Sequence, residues 1–223
     1  MILQNIDELK ENDYPVLIIG SGPAGLTLAL ELEKKNIKTV IIEAGGEEYN
    51  NKSQSFYKIN TEGVALKDIS NSRLRQFGGT SGIWGGWSKP LSDLDFKNFG
   101  LNPNQIKGYQ KKACEILSIE NSFRESVINE DFNQIEFQYS GVRFYKKYFN
   151  QIKKSKNIKL ILNTQLSHFE GKNNRIENAI CISNRELTKI KVKEFILCCG
   201  GIENSRILLW SKFQNKNLFD KDL

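Results

Sequence analysis

Three glycines, Gly20, Gly22 and Gly25, lie between a short apolar run and a helical pattern. In this Gly-x-Gly-x-x-Gly spacing, the first glycine permits the tight turn that follows a strand. The second has no side chain, so a pyrophosphate can approach the backbone, and the third lets the helix pack closely on the strand. Because the positive end of the helix then faces the phosphates, we predict a dinucleotide site that also includes Pro23 and Ala24.

A carboxylate stands where such a site needs one. Glu43 ends the next apolar run and is followed by Ala44. In this position a carboxylate accepts hydrogen bonds from the hydroxyls of the adenosine ribose. Its negative charge argues against NADP, because it would repel the 2′-phosphate. The motif by itself leaves FAD and NAD open.

The elements that position these residues form a βαβ unit. The apolar runs 15–19 and 38–42 are typical of parallel strands buried on both faces, and residues 24–36 between them show a helical pattern. Lys34 and Lys35 suit the negative end of that helix, and Asn36 can take the left-handed cap. Helix is also expected over 104–118. Further strands are expected at 158–162, 176–182, 188–193 and in "EFILCC", which leads into a glycine turn and a helix. The predicted fold class is α/β.

Composition narrows the class of protein. The chain has 223 residues, is 39% hydrophobic, and carries a formal net charge of +6. No run of about 18 apolar residues indicates a membrane span, and the first residues do not resemble a secretory signal, so a cytoplasmic location is expected. The four cysteines show no metal-knuckle spacing, and we expect buried, reduced thiols and no metal site.

Basic and aromatic residues interleave over 143–159, which would allow nucleic-acid binding. Phe144 and Tyr148, and likewise Tyr145 and Phe149, are spaced i,i+4. They can therefore pack one face of a helix on a core while the lysines stay in solvent. This second interpretation is favoured, and no nucleic-acid partner is predicted.

Two further segments carry a family resemblance. Together with the first segment, "YPVLIIGSGPAGLTLALELEKKNIKTVIIEAGG", the segments "RLRQFGGTSGIWGGW" and "FILCCGGIENSRILLWS" resemble the glucose–methanol–choline (GMC) FAD-dependent oxidoreductases, in the same order along the chain. The resemblance implies FAD as cofactor and a Rossmann-like FAD-binding fold, incomplete at the C-terminus. It also implies an inserted β-meander, to which the strands expected at 158–162, 176–182 and 188–193 would belong. It adds these residues to the predicted cofactor site: Arg75, Gly78, Gly79, Thr80, Ser81, Leu166 and Gly200.

The resemblance also implies a division of the chain and a reaction. Residues 1–95 and 155–223 would form the FAD-binding domain, and 96–154 a helical insert on the substrate side. The activity implied is oxidation of CH–OH groups of small alcohols or sugars, with hydride transfer to the flavin. Trp84 and Trp87 would lie nearest the flavin ring. Trp84 and Arg206 depart from the common family pattern, and "GGTSGIWGGW" is closer to the bacterial sugar-oxidising branch.

A catalytic base is missing from the matched segments. The family uses a histidine far toward the C-terminus, whereas the single histidine here, His168, lies at the adenine end. No catalytic residue is therefore assigned, and a C-terminal half supplied by another chain is a possible partner. Two alternatives remain open: a catalytically incomplete fragment that binds a nucleotide or a partner, and an NAD-dependent enzyme.

Overall fold

A computed structural model describes residues 2–3, 6, 9, 14–63 and 69–220. The strands in this part of the chain are β1 (Ile2–Leu3), β2 (Val16–Ile19), β3 (Thr39–Ile42), β4 (Trp87–Ser88), β5 (Glu125–Val127), β6 (Asn133–Ile135), β7 (Gln138–Tyr139), β8 (Ile158–Ile161), β9 (Thr164–Lys172), β10 (Arg175–Ser183), β11 (Glu186–Ile190) and β12 (Glu194–Leu197). Its α-helices are α1 (Pro23–Lys34), α2 (Asn51–Gln54), α3 (Asp93–Asn98), α4 (Pro103–Ile106), α5 (Gln110–Leu117), α6 (Phe144–Lys154) and α7 (Gly201–Gln214). Two compact units result: Met1–Ile83 with Arg143–Leu223, and Trp84–Val142.

The first unit is built on a five-stranded parallel sheet in the order β1-β8-β3-β2-β12. All four residues of β2 and all four of β3 are buried. This is the burial that continuous apolar runs predict for parallel strands covered on both faces. The predicted α/β fold with a Rossmann-like sheet is confirmed.

Helix α1 follows from local sequence signals. It begins with Pro23 directly after the N-cap Gly22, and proline is preorganised for the first helical position because its φ is already helical. Lys34 lies in the last turn, and Asn36 has a φ of 58°, as predicted for the left-handed cap. The buried face of the helix packs on the sheet through Leu26, Ala29 and Leu30, among others.

Helix α6 confirms the packing interpretation of the basic–aromatic segment. Phe144, Tyr148 and Ile152 are buried at i, i+4 and i+8, and the lysines of the helix are exposed. The ring of Phe149 packs edge-on against Phe77, with centroids 5.4 Å apart. The aromatic residues thus serve the core of the first unit.

An antiparallel meander of three strands, in the order β11-β10-β9, completes the first unit. Two of its strands were expected at 176–182 and 188–193. The sequence-based assignment of 158–162 to this meander was wrong, because β8 lies in the parallel sheet between β1 and β3. The third meander strand is instead β9, which the sequence pattern did not indicate.

The second unit, Trp84–Val142, contains α3 to α5 and the two-stranded pairs β4–β7 and β5–β6. Helix α3 has a capping box, in which Ser92 and Asp95 each bond the other's backbone N–H. The helix expected over 104–118 is split into α4, a 3₁₀ turn and α5. The predicted domain boundaries at 95/96 and 154/155 stay a prediction. Helix α6, which these boundaries would place in the insert, belongs to the first compact unit.

Within the described residues, no helix is long and apolar enough to cross a membrane. The same part of the chain contains no group of three or more His, Cys, Asp or Glu side chains arranged to hold a metal ion.

Candidate functional site: a cavity at the carboxyl ends of the parallel strands

A cavity of about 600 Å³ lies where β2, β3 and β12 end. The carboxyl ends of the strands are where open α/β sheets bind ligands, and the volume falls within the range of about 300–1,000 Å³ that is usual for small-molecule sites. The predicted site residues that line it are Gly20, Gly22, Pro23, Ala24, Glu43, Ala44, Arg75, Gly79, Thr80, Leu166 and Gly200. The other three, Gly25, Gly78 and Ser81, make contacts that shape the two loops of the site.

The first glycine loop has the geometry of a phosphate cradle. Gly20 has a φ of +100°, and a Cβ there would meet the Cys198 carbonyl oxygen at 2.6 Å. A Cβ on Gly25 would lie 2.0 Å from the carbonyl oxygen of Gly20, so glycine is needed for α1 to pack against the strand. A Cβ on Gly22 would meet nothing within 4 Å. The space over Gly22 is therefore open for a ligand to approach the backbone.

A second glycine segment meets the first. Gly78 donates its N–H to the Ser21 carbonyl oxygen at 3.1 Å, and a Cβ on Gly78 would lie 2.5 Å from the backbone nitrogen of Tyr145. A Cβ on Gly79 would lie 2.9 Å from the Cα of Gly22. Since the backbones come this close, the two loops form one continuous wall of the cavity.

The hydroxyls after these glycines differ in their surroundings. Ser81 is buried, donates its Oγ–H to the Gly78 carbonyl oxygen at 2.7 Å and accepts the N–H of Phe144 at 3.1 Å. Its hydroxyl therefore braces the loop rather than facing the cavity. Thr80 lines the cavity, and its Oγ1 accepts the N–H of Leu74 at 3.3 Å. Of the two predicted hydroxyl donors, Thr80 is the one that borders the ligand space.

Glu43 is almost fully buried and is hydrogen-bonded to the first glycine loop. Its Oε2 accepts hydrogen bonds from Ser21 N–H at 3.0 Å and from Ser21 Oγ–H at 2.7 Å, and its Oε1 accepts one from Gly45 N–H at 2.8 Å. Burial raises the pKa of Glu43 above its ordinary value, although these hydrogen bonds and the charge of Arg75 oppose the shift. The carboxylate therefore shapes the loop and also borders the cavity.

Arg75 is fixed by neighbours from three segments. Its Nη1 donates to Ser53 Oγ at 2.7 Å, its Nη2 donates to Gln165 Oε1 at 2.6 Å, and its guanidinium lies 4.8 Å from the centroid of the Phe56 ring. The side chain is buried, which lowers its pKa, and the charge of Glu43 opposes this shift. A guanidinium keeps its proton under such conditions, so Arg75 gives the cavity wall a fixed positive charge.

The meander contributes the wall near Leu166 through a bulge. Leu166 faces Cys181 and His168 faces Ile180, so Ser167 is an extra residue on β9. Leu166 and Ser167 both line the cavity. Thr164 and Gln165 line the cavity as well, so β9 borders the ligand space with four consecutive residues, and the bulge lies at the last of them.

Sequence analysis missed several lining residues. They are Phe56, Tyr57, Leu74, Thr164, Gln165, Ser167, Ile182, Cys198, Cys199, Glu203, Arg206, Ile207 and Trp210, together with the strand ends Ile19 and Ile42. For the lining residues that follow β12, the sequence did contain an indication, because a glycine turn that leads into a helix repeats the pattern of the first loop. Phe56 and Tyr57 lie in a 3₁₀ turn without a recognisable motif.

The cysteines are free thiols in low-polarity surroundings. Cys114 and Cys181 are buried, and burial raises the pKa of Cys181 to about 12. The pKa of Cys199, which lines the cavity, is also raised to about 12, mainly by burial and in addition by the charge of Glu43. The prediction of buried thiols holds fully for Cys114 and Cys181 and in part for Cys198 and Cys199.

We expect Cys181 and Cys199 to resist alkylation in the native chain at pH 8. With a pKa of about 12, the thiolate is on the order of a thousandfold rarer than for an ordinary thiol, and the thiolate is the reactive form. Iodoacetamide labelling followed by peptide mass spectrometry would measure this, with the urea-unfolded chain as control. Labelling of these two cysteines at equal rates in the native and unfolded chains would contradict the prediction.

His168 lies outside the cavity lining. It lies within β9, its Nδ1 is 3.1 Å from Ser167 Oγ, and it borders a different depression with Glu170 and Asn215.

The two tryptophans expected near the flavin lie in the second unit. There, Trp84 donates its Nε1–H to the Val142 carbonyl oxygen at 3.0 Å, and Trp87 is 67% exposed beside Tyr139. The expected proximity of Trp84 and Trp87 to a flavin ring stays a prediction.

Comparisons with known proteins indicate which dinucleotide the chain binds. Residues 13–58, which contain the first glycine loop and Glu43, match the family described as "FAD binding domain". The cofactor is FAD. Residues 13–58 thus carry an FAD-binding segment, in agreement with the cofactor that the family resemblance implies.

The fold comparison agrees with this assignment. Pyridoxine 4-oxidase from Mesorbium loti is similar with a TM-score of 0.53 and 12% identity, over 86% of this chain and 50% of that one. A fungal aryl-alcohol oxidase is similar with a TM-score of 0.51 and 13% identity, over 90% of this chain and 48% of that one. Both alignments show that the chain shares its fold with about half of each of these oxidases.

One curated relative is also similar in sequence. Pseudooxynicotine dehydrogenase of Pseudomonas sp is 26% identical over 152 residues, which are 66% of this chain and 26% of that protein. The chain thus spans about a quarter of this curated relative and about half of the two solved structures.

Proposed function

We propose that this chain forms the FAD-binding portion of an oxidoreductase that acts on CH–OH groups of small alcohols or sugars. The observation that carries the proposal is the meeting of two glycine segments beside a buried carboxylate, at the carboxyl ends of parallel strands. Open space over Gly22 fits a pyrophosphate, and Arg75 and the first turn of α1, which has no acidic residue, complement its charge.

Each group of residues has a proposed task in this site. Gly20 to Ala24 hold the pyrophosphate, and Glu43 with Ala44 holds the adenosine ribose. The backbone near Leu166 meets the adenine, and Arg75, Gly79, Thr80 and Gly200 contact the remaining phosphate or flavin. FAD, when bound, supplies the hydride acceptor. Gly25, Gly78 and Ser81 keep the two loops in place.

The names of the similar structures support the substrate class. Pyridoxine 4-oxidase and aryl-alcohol oxidase are named as oxidases of small molecules, the second of an alcohol. The insert proposed at residues 96–154 would contribute to the substrate side. Among the alternatives, an incomplete nucleotide- or partner-binding fragment is favoured over an NAD-dependent enzyme, because residues 13–58 match an FAD-binding domain.

We further propose that the catalytic base comes from a segment outside these 223 residues. The single histidine of the sequence is His168, which borders a different depression from the cavity. Alcohol oxidation needs a group that takes the hydroxyl proton while hydride leaves the carbon.

We expect the isolated chain to bind FAD and not to oxidise alcohols. The purified protein should be yellow after incubation with FAD, and anaerobic mixing with a panel of alcohols and sugars should leave the flavin absorbance unchanged. Rapid bleaching that survives His168→Ala would contradict the proposed origin of the base. A colourless protein that binds NAD or ADP-ribose but not FAD would contradict the proposed function.

A further inference from the structure

An ion-pair chain lies at the start of α7, on the wall of the cavity. Glu203 accepts a hydrogen bond from Arg73 Nη1 on its Oε1 at 2.8 Å and one from Arg206 Nε on its Oε2 at 2.7 Å. The side chains of Glu203 and Arg73 are 12% and 13% exposed. Because the Glu203–Arg73 pair is largely shielded from water, salt screens it less than it screens a surface pair.

Arg73 connects this ion pair to a second wall. Its guanidinium carbon lies 4.2 Å from the centroid of the Tyr57 ring, and its Nη2 donates to the Tyr57 carbonyl oxygen at 3.2 Å. Tyr57 itself lines the cavity. Glu203 therefore links the wall formed by α7 to the wall formed by Tyr57, although Arg73 and Glu203 are 130 residues apart in sequence.

The charge of the cluster matters for an anionic ligand. One carboxylate, Glu203, stands between two guanidiniums, so the cluster carries a net positive charge. Burial would raise the pKa of Glu203, but the hydrogen bonds from Arg206 and Arg73 outweigh it and the pKa is lowered. Glu203 is thus ionised at neutral pH. Arg206 is half exposed and lines the cavity, so its positive charge lies at the border of the ligand space.

We propose that Glu203 is a positioning residue of the cofactor site. It holds Arg206 on the cavity wall as a cation for the phosphates of the dinucleotide, and through Arg73 it fixes the wall that carries Tyr57. The proposal rests on the FAD site proposed above. It assigns a role to Arg206, a position at which this chain departs from the common family pattern.

The direction in which one substitution changes FAD affinity distinguishes a positioning role of Glu203 from an effect of its charge alone. Glu203→Gln removes a negative charge beside the phosphate site, so a charge effect alone would tighten FAD binding. The proposal expects the opposite, a loss of roughly tenfold in FAD affinity, because the amide leaves one acceptor oxygen for two arginines and presents an NH₂ donor in place of the other. Arg206→Gln should weaken FAD and ADP by a similar factor and leave riboflavin, which has no phosphate, unaffected.

Binding would be measured by fluorescence titration of FAD, ADP competition and riboflavin, at several salt concentrations. The dependence of FAD affinity on salt should be shallower in Arg206→Gln than in the wild type, because one phosphate contact is lost. Glu170→Gln, which breaks the ion pair with Lys189 outside the cavity, is the matched control and should change none of these values. Thermal unfolding of each variant without ligand checks the fold.

Two results would overturn the inference while the wild type still binds FAD. One is FAD affinity in Glu203→Gln that equals or exceeds the wild-type value. The other is Arg206→Gln with unchanged FAD affinity and unchanged salt dependence. A wild-type chain that binds no FAD would overturn the proposed function as well, so the two failures are distinguishable.

Discussion

We expect a Gly22→Val chain to fold normally and to lose at least about a hundredfold in FAD affinity, or about 2.7 kcal/mol. Gly22 has a φ of −69° and a ψ of −175°, a conformation that any residue can adopt, and a Cβ there meets no atom within 4 Å. The valine side chain would occupy the space over the loop backbone, which is where the phosphates should approach. Fluorescence titration with FAD measures the loss.

Gly25→Ala is the contrasting variant for the same loop. Its Cβ would lie 2.0 Å from the carbonyl oxygen of Gly20, which is backbone and cannot move aside cheaply. We expect it to lower the free energy of unfolding by about 1–3 kcal/mol, the usual cost of overpacking. Circular dichroism and urea unfolding compare the two chains. A folded Gly22→Val chain with FAD affinity within twofold of wild type would show that the phosphates bind elsewhere.

Replacing Glu43 with alanine should weaken FAD binding by at least about tenfold and also destabilise the chain. Charge-assisted hydrogen bonds to a ribose are each worth about 1.5–3 kcal/mol, and their loss explains the affinity. The stability falls because the N–H groups of Ser21 and Gly45 lose a buried acceptor, at about 1–3 kcal/mol each. FAD titration and urea unfolding measure the two effects separately.

The pH dependence of stability provides a check on Glu43. Burial raises the pKa of Glu43 in the folded chain above its ordinary value of 4.5, so the unfolded chain releases this proton first as the pH rises. The stability that the protonated carboxyl contributes is therefore present below pH 4.5 and is lost as the pH rises through the folded pKa. The unfolding free energy of the wild type, relative to that of Glu43→Gln, should therefore fall as the pH rises over that range.

For the affinity prediction, an FAD affinity of Glu43→Ala within twofold of wild type would place the ribose elsewhere.

Local patterns were enough to predict the βαβ unit. Continuous apolar runs indicated β2 and β3, and the glycine spacing indicated the loop between β2 and α1. Asn36 was recognised as a left-handed cap, and the i,i+4 aromatic residues of α6 as a core face. Each of these features depends on residues close in sequence, so the conformational preferences of a short segment determine it.

Strand β9 shows why the meander was predicted incompletely. Thr164 and Leu166 are buried in alternation, but the next buried residue is Phe169, because Ser167 forms a bulge. The bulge breaks the period of two by which a strand is recognised. For a similar reason β8 was assigned to the meander, since its apolar run is compatible with either sheet and only pairing with β1 and β3 decides.

The kind of cofactor loop, the carboxylate at the end of β3 and the resemblance to FAD-dependent oxidoreductases could all be read from the amino-acid sequence. The assembled fold was needed to show that Gly79 lies against Gly22, that the Ser81 hydroxyl bonds the loop, and that Glu203 joins Arg73 to Arg206 on the cavity wall. The physical reason is distance along the chain. Glycine turns and helix starts are set by neighbouring residues, whereas a cavity is formed by strand ends and loops that come together only when the parallel sheet assembles.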